Sequence, residues 1–331
     1  MRSNPFIIAE LSANHNGSLD MALAIIEAAA KAKASAIKFQ TFTPESMAVG
    51  YSIKDGPWAG QNLIDLYKQA HTPREWHQEL FAKARSLGIV PFSSPFDEAS
   101  VDFLEKLDCP IYKIASFEIV DIPLIRYVAS TKKPIFISTG MATRTEIDIA
   151  IEAAQGCDIT LLKCTSAYPA TASDANLATL MDMNGHYGVP YYGCAVGISD
   201  HTPGTAVAVA AVALGATVVE KHLTLKRSDG GPDSGFSMEP HEFAQLVTEC
   251  NAAYQAIGTI SYGPTDSERP SLALRRSLYF SEDVPAGTVL TKKHFRTARP
   301  ALGLPPMEID NLIGRVLTKG FAKGAPVRGD L

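Results

Sequence analysis

The sequence predicts an α/β chain in three parts: a (β/α)8 barrel over residues 1–260, a linker over 261–276 and a small β-rich domain over 277–331. Three observations carry that reading. A short apolar strand followed by an amphipathic helix recurs eight times in succession, over roughly the 250 residues usual for such a barrel. No Gly-x-Gly-x-x-Gly follows the first strand, which counts against a doubly wound open sheet. After Gly258 the alternation stops, and short strands and turns take over.

Taken in order, the strands are expected at Phe6–Leu11, Ala36–Phe42, Ile89–Ser94, Ile111–Ala115, Pro134–Thr139, Ile159–Thr165, Tyr191–Ile198 and Thr217–Leu223. Helices are expected between them, among others at Leu19–Lys33, Pro73–Leu87, Thr145–Ala154, Pro203–Leu214 and Pro240–Ile257. Thr72-Pro73-Arg74-Glu75 has the form of a helix start, and Asp97 and Asp121 are further N-cap candidates. The stretch Ser261 to Pro270 is polar and turn-rich, as an exposed linker would be. Beyond it, Ser277–Phe280, Val289-Leu290, Val316–Thr318 and Gly324 to Val327 read as strands around a Pro285-Ala286-Gly287 turn. A domain of about sixty residues lies at the lower edge of independent stability, so it is expected to lean on the barrel or on another protomer.

Composition narrows the function classes. Hydrophobic residues make up 46% and charged residues 20%, the balance of a soluble globular protein. The formal net charge of -5, without basic stripes, disfavours nucleic acid. Apolar runs such as Thr205 to Leu214 are too short to span a bilayer. Glu10 interrupts the first apolar run too early for a signal-peptide core, so a cytoplasmic location is expected. The five cysteines, Cys109, Cys157, Cys164, Cys194 and Cys250, show no Cys-x-x-Cys spacing and are expected to be buried and inert.

In a barrel of this kind the reactive groups stand at the C-terminal ends of the strands. Those ends read Glu10; Lys38 and Gln40; Ser93 and Ser94; Lys113 and Ser116; Ser138; Ser166 with Tyr168; Ser199, Asp200 and His201; and His222. A single polar residue there is more often a strand end meeting water. Here every strand supplies one. Hydroxyls beside Lys38 and Lys113 suit an anion such as phosphate, although each serine taken singly would be structural. His201 and His222 end neighbouring strands, so their imidazoles can converge on one divalent metal. An isolated His pair is more often structural, but the surrounding Ser199-Asp200-His201-Thr202 and Glu220-Lys221-His222 reverse that preference. Two imidazoles alone make an open site that water and substrate complete. His71, His77, His186, His241 and His294 fall in helices or loops, as surface or packing residues would; His15, just after the first strand, stands apart.

Several segments fall in a telling order: Ile8-Ala9-Glu10 with Asn14-His15-Asn16-Gly17, Lys38-Phe39-Gln40-Thr41, Tyr112-Lys113-Ile114-Ala115-Ser116 and Ser138-Thr139-Gly140-Met141. Cys164-Thr165-Ser166-Ala167-Tyr168-Pro169, Ser199-Asp200-His201-Thr202-Pro203-Gly204, Glu220-Lys221-His222 and Gly231-Pro232-Asp233-Ser234 follow. Together they resemble the sialic acid synthase family over essentially the whole chain, and the tail is similar to the antifreeze-like (SAF) domain that closes those synthases. Glu10-Leu11-Ser12-Ala13 stands where N-acetylneuraminate synthases carry Glu-Ala-Gly-Val. Trp58-Ala59-Gly60, Thr72 to His77, Ser93 to Asp97 and Ala115 to Glu118 likewise look like the pseudaminic acid branch.

The resemblance implies a transferase that joins phosphoenolpyruvate to an acetamido-trideoxy sugar and releases phosphate by C–O cleavage. It implies that Lys38, Lys113, Ser116, Ser138, Ser166 and Ser199 hold phosphoenolpyruvate, and that His201 and His222 bind Mn2+, Mg2+ or Co2+. Glu10 would bind sugar and manage protons, with Gln40, Glu118, Tyr168 and Asp233 at the sugar or at metal-bound water. Arg299 matches an arginine that the SAF domain places in the partner's site, which implies a domain-swapped homodimer. The rival readings are an N-acetylneuraminate or legionaminate synthase, a Schiff-base aldolase using Lys113, Lys163 or Lys221, and a carbohydrate-binding protein without turnover.

Overall fold

Short strands suffice in this chain because each is covered on both faces, by the barrel interior and by a helix layer. In the computed structural model, which describes residues 4–56 and 58–331, eight parallel strands close into a barrel in sequence order. They are β1 (Phe6–Glu10), β2 (Ala36–Thr41), β3 (Val90–Pro95), β4 (Tyr112–Ile114), β5 (Ile135–Ser138), β6 (Ile159–Cys164), β7 (Ala195–Ser199) and β8 (Val218–His222). The helices are α1 (Leu19–Lys31), α2 (Pro44–Met47), α3 (Leu63–Ala70), α4 (His77–Ser86), α5 (Glu98–Glu105), α6 (Ile122–Ser130), α7 (Arg144–Ala153), α8 (Ala178–Tyr187), α9 (Ala206–Ala213) and α10 (Pro240–Ile257). Among the described residues, none is long and apolar enough to cross a membrane. Side-chain caps start several of them. Asp97 accepts from the Ser100 amide, Asp121 from the Leu124 amide, and Thr143 forms a reciprocal box with Glu146, each cap being worth about 1 kcal/mol.

The core is continuous between strands and helices and includes Ile7, Ile37, Phe39, Phe92, Ile137 and Val219. Register then sets the chemistry. Glu10 pairs with Lys38 on one side and with His222 on the other, while Ser199 pairs with Glu220 and with Cys164. Residues far apart in sequence thereby reach one level at the same rim.

Local differences from the sequence reading have local causes. The seventh strand begins at Ala195, not Tyr191, because Gly193 takes φ 73° and Tyr191 and Tyr192 stand exposed in turns. The aromatic residues had suggested a strand. Thr72 does not cap a helix: its buried hydroxyl has no partner among the described residues, and Pro73 leads into a short 3-10 turn before α4. Half of the expected linker is ordered as 3-10 turns over Asp266–Leu274, started by a reciprocal box between Thr265 and Glu268.

The chain divides into two compact units, ending at Gly258 and beginning at Thr259. The second unit has its own core of Leu278, Phe280, Val284, Leu290, Phe295, Leu312, Leu317 and Val327. Its antiparallel pair joins β9 (Ser277–Phe280) to β10 (Phe295–Ala298). The second of these carries few apolar residues and so left no strand pattern. Val289 meets Val316 in a single bridge, where a longer strand was expected.

Candidate active site

At the barrel mouth two ammonium groups share one carboxylate. Lys38 Nζ lies 2.9 Å from Glu220 Oε1 and 3.2 Å from Glu10 Oε2, and Lys113 Nζ lies 4.0 Å from the same Glu220 oxygen. All four side chains are buried. Burial opposes charge on every one of them, and the partners decide which keeps it. Burial works against Glu220 ionising, but Lys113 and Lys38 overcome it and hold its carboxyl near 2. Glu10 goes the other way. Burial raises it, Lys38 offsets only part, and Glu220 adds repulsion, leaving it at about 7. Burial also lowers Lys113 to about 8, while Glu10 and Glu220 raise Lys38 despite its burial. The cluster therefore holds a lysine whose charge its partners favour, a lysine that can lose its proton, and a carboxyl poised near neutrality.

Beside the lysines lies a set of hydroxyls. Ser116 Oγ accepts the Gly140 amide at 3.1 Å. A Cβ at Gly140 would collide with the hydroxyls of both Ser116 and Ser166, so glycine is what lets these strand-end loops close together. Ser138 Oγ and Ser94 Oγ are buried with no hydrogen-bond partner among the described residues. Unpaired buried hydroxyls are costly unless a ligand meets them, and two lysines beside them make an anion the fitting one. Ser199 is different: its hydroxyl donates to Glu220 Oε1 at 2.9 Å.

His201 and His222 face each other with ring centroids 5.3 Å apart. His201 Nδ1 is 2.9 Å from the Thr165 carbonyl oxygen, which assigns the proton to Nδ1 and leaves Nε2 with a lone pair. Burial, reinforced by His201, drops His222 well below the usual histidine range, and its Nδ1 lacks a partner among the described residues. Among those residues no group of three or more His, Cys, Asp or Glu is arranged to hold an ion. Burial lowers His201, but Cys164 and the Thr165 carbonyl raise it overall; in their neutral forms the two imidazoles fit an open, ligand-completed site. Tyr168 lies 4.3 Å from the His201 ring, Phe236 5.1 Å from that of His222, and Trp58 5.5 Å from Tyr168. These rings line the pair on its apolar side.

A hydrogen-bonded chain runs beside them, over β1, β2 and the loop after β8. Gln40 Nε2 donates to Glu10 Oε1 and to Ser12 Oγ, both at 3.0 Å, and the Ser12 hydroxyl donates to Asp233 Oδ2. Asp233 also accepts the Ala13 amide at 3.2 Å, and burial raises its carboxyl. Glu118 has one buried oxygen without a partner among the described residues, and burial pushes it up to about 7 although Lys113 attracts it. Tyr67 on α3 is raised by burial and then by the charges of Glu118 and Asp233, which puts its hydroxyl in the same field. Trp58 Nε1 donates to the Pro232 carbonyl at 3.0 Å and ties the long β2–α4 connection to the loop that carries Asp233.

Comparison with known proteins decides the family. The NeuB family model matches residues 25–262, and a SAF domain model matches residues 275–331. The chain belongs to the NeuB family. A curated relative of this NeuB chain, the pseudaminic acid synthase of Campylobacter jejuni subsp. jejuni, is 42% identical over 96% of this chain and 94% of its own. The N,N'-diacetyllegionaminic acid synthase of Legionella pneumophila is 36% identical over 96% and 92%. Among solved structures, the N-acetylneuraminic acid (sialic acid) synthetase of Leptospira borgpetersenii superposes with a TM-score of 0.73 at 33% identity, covering 82% of this chain and 90% of that one.

Several residues of this NeuB chain went unassigned in the sequence. Glu220 lies two residues before His222 on β8, and period two puts both on one face. Ser12 stood out only within the Glu10-Leu11-Ser12-Ala13 segment, with no role attached, and Phe236 and Tyr67 had no local signal. Lys221 points away from the mouth. It is buried and pairs with Asp200 Oδ2 at 2.8 Å and the Thr202 carbonyl at 2.6 Å, holding the loop that carries His201. Lys163 Nζ donates to Thr165 Oγ1 at 2.8 Å. His15 is a packing residue: burial lowers it to about 4, its Nδ1 accepts the Gly17 amide, and its edge meets Trp76. Cys164 is free and buried as expected, but it stands beside the site. Burial alone would raise this thiol, but His201, Ser116 and Lys113 bring it down to about 7, with Sγ 3.9 Å from both Ser166 Oγ and His201 Nδ1. Arg299 is exposed beyond β10, in the second unit.

Proposed function

We propose that this NeuB-family chain condenses phosphoenolpyruvate with 2,4-diacetamido-2,4,6-trideoxy-L-altrose and water, giving pseudaminic acid and phosphate. The observation that carries the reaction class is the sharing of one mouth by two buried lysines, unpaired hydroxyls and a facing imidazole pair. The choice of sugar is supported by the higher identity to a pseudaminic acid synthase than to a legionaminic acid synthase, both over nearly the whole chain.

In this reading Lys38 and Lys113 hold the phosphate and carboxylate of phosphoenolpyruvate, with Ser116, Ser138 and Ser166 as hydroxyl partners. Ser199 acts with Glu220 rather than as a free donor. A divalent ion such as Mn2+, Mg2+ or Co2+, held by His201 and His222, would supply Lewis-acid polarisation of the open-chain aldehyde. A carbon–carbon bond forms from C3 of phosphoenolpyruvate to the aldehyde carbon, water adds at C2, and the C2–O bond breaks to release phosphate. Glu10, near neutrality at about 7, can take or return a proton beside the sugar. Gln40, Glu118, Tyr168 and Asp233 orient the sugar, and the aromatic side limits water. Arg299 completes the sugar site of a partner protomer in a domain-swapped, cytoplasmic homodimer.

The test is phosphate release from phosphoenolpyruvate with a panel of acetamido sugars. Turnover with the L-altro diacetamido sugar at a kcat/KM well above that for N-acetylmannosamine and the legionaminate precursor is expected. Preference for either of the latter would move the chain to another branch, and carbohydrate binding without phosphate release would overturn the reaction.

A further inference from the structure

Directly after β1 the backbone turns at Ser12, which takes φ 48°, a left-handed conformation that glycine adopts without steric penalty and serine does not. Such a residue persists where its side chain has work that glycine cannot do. The Ser12 side chain is buried and fully engaged: it accepts from Gln40 Nε2 at 3.0 Å and donates to Asp233 Oδ2. Both donors of the Gln40 amide are thereby used, one on Glu10 Oε1 and one on Ser12 Oγ. With Glu10 ionised the amide cannot be turned over, because its carbonyl oxygen would then face the Glu10 carboxylate and the serine oxygen, whose own proton goes to Asp233. Gln40 Oε1 has no donor among the described residues.

We propose that Ser12 is a positioning residue of the sugar site: it locks the Gln40 amide so that Gln40 meets the substrate only as an acceptor. The group facing it must then be a donor, an acetamido N–H or a hydroxyl, and a sugar offering only an acceptor there is rejected. This deepens the proposed reaction and rests on it for the identity of the ligand.

The relay is tested in the full chain with 15N-labelled glutamine, the Gln40 side-chain resonances being identified by their loss in Gln40→Ala. In Ser12→Gly, which suits φ 48°, and in Ser12→Ala, which keeps the Cβ, the Gln40 amide protons are expected to exchange with solvent roughly five-fold faster, as for one lost hydrogen bond. Equal exchange in the wild type and both variants overturns the relay whatever the sugar. Kinetically, both variants should raise KM for the acetamido sugar roughly ten-fold and leave that for phosphoenolpyruvate within about two-fold. Equal changes in the two constants, or none, overturn the positioning role. Ser12→Gly/Gln40→Ala should be no worse than Gln40→Ala alone, and additive losses would overturn the coupling. If the wild type turns over no acetamido sugar, the proposed reaction fails, and the exchange measurement still decides the relay.

Discussion

Ser199 Oγ donates a 2.9 Å hydrogen bond to Glu220 Oε1, the oxygen that Lys38 Nζ also reaches at 2.9 Å. The hydroxyl of a serine expected at phosphoenolpyruvate here holds a carboxylate in place. That carboxylate favours charge on two buried ammonium groups before any anion arrives.

Glu220→Gln removes the strongest attraction opposing the burial of Lys113, so Lys113 should fall below about 8. The alkaline limb of kcat/KM for phosphoenolpyruvate is expected to move to lower pH. Stability should drop by roughly 3 kcal/mol, because two buried cations lose a partner. An unmoved limb with an unmoved melting temperature would remove Glu220 from this role.

Lys113 is cationic below about 8 and neutral above it. The wild-type kcat/KM for phosphoenolpyruvate should therefore decline as pH rises through that value. Lys113→Met should raise KM for phosphoenolpyruvate roughly 10- to 100-fold, the range of a lost charge-assisted hydrogen bond. A change confined to the sugar constant would mean that the anion lies elsewhere.

For the imidazole pair, His201→Ala and His222→Ala should each lower bound metal, measured by elemental analysis, and abolish turnover without lowering the melting temperature much. Chelation should inactivate the wild type and added divalent ion should restore it. Full activity in chelator would overturn the metal assignment.

Lys221 and Asp200 form an almost dry ion pair at 2.8 Å. Lys221→Met leaves a buried carboxylate without its partner, a loss of roughly 3–5 kcal/mol, or about 10 °C in melting temperature. Asp200→Leu added to it should recover part of the loss. Borohydride with pyruvate should attach nothing to the protein, and a labelled lysine would instead support an aldolase.

Arg299→Ala and His222→Ala homodimers should each be nearly inactive. Mixed dimers should regain activity if Arg299 acts across protomers, because one site then keeps both groups. If Arg299 serves its own protomer, every site in the mixture lacks one group and no activity returns.

The barrel was legible in the sequence because its signals are local. Strand alternation, the caps at Asp97 and Asp121, and the polar residue ending each strand all depend on near neighbours in the chain. For the same reason Glu10, Lys38, Lys113, Ser116, Ser138, His201 and His222 could be named in advance. The partnerships between them could not, since they depend on register across strands and on loops that meet where the barrel closes β8 onto β1. Ser12 meets Asp233 across more than two hundred residues, Lys221 and Glu220 are neighbours that face opposite sides of β8, and the Cys164 thiol is tuned by residues on two other strands or their loops. Strand period two says which residues share a face. Only the closed barrel decides which charges share a proton, because that depends on a few ångströms and on how completely water is excluded.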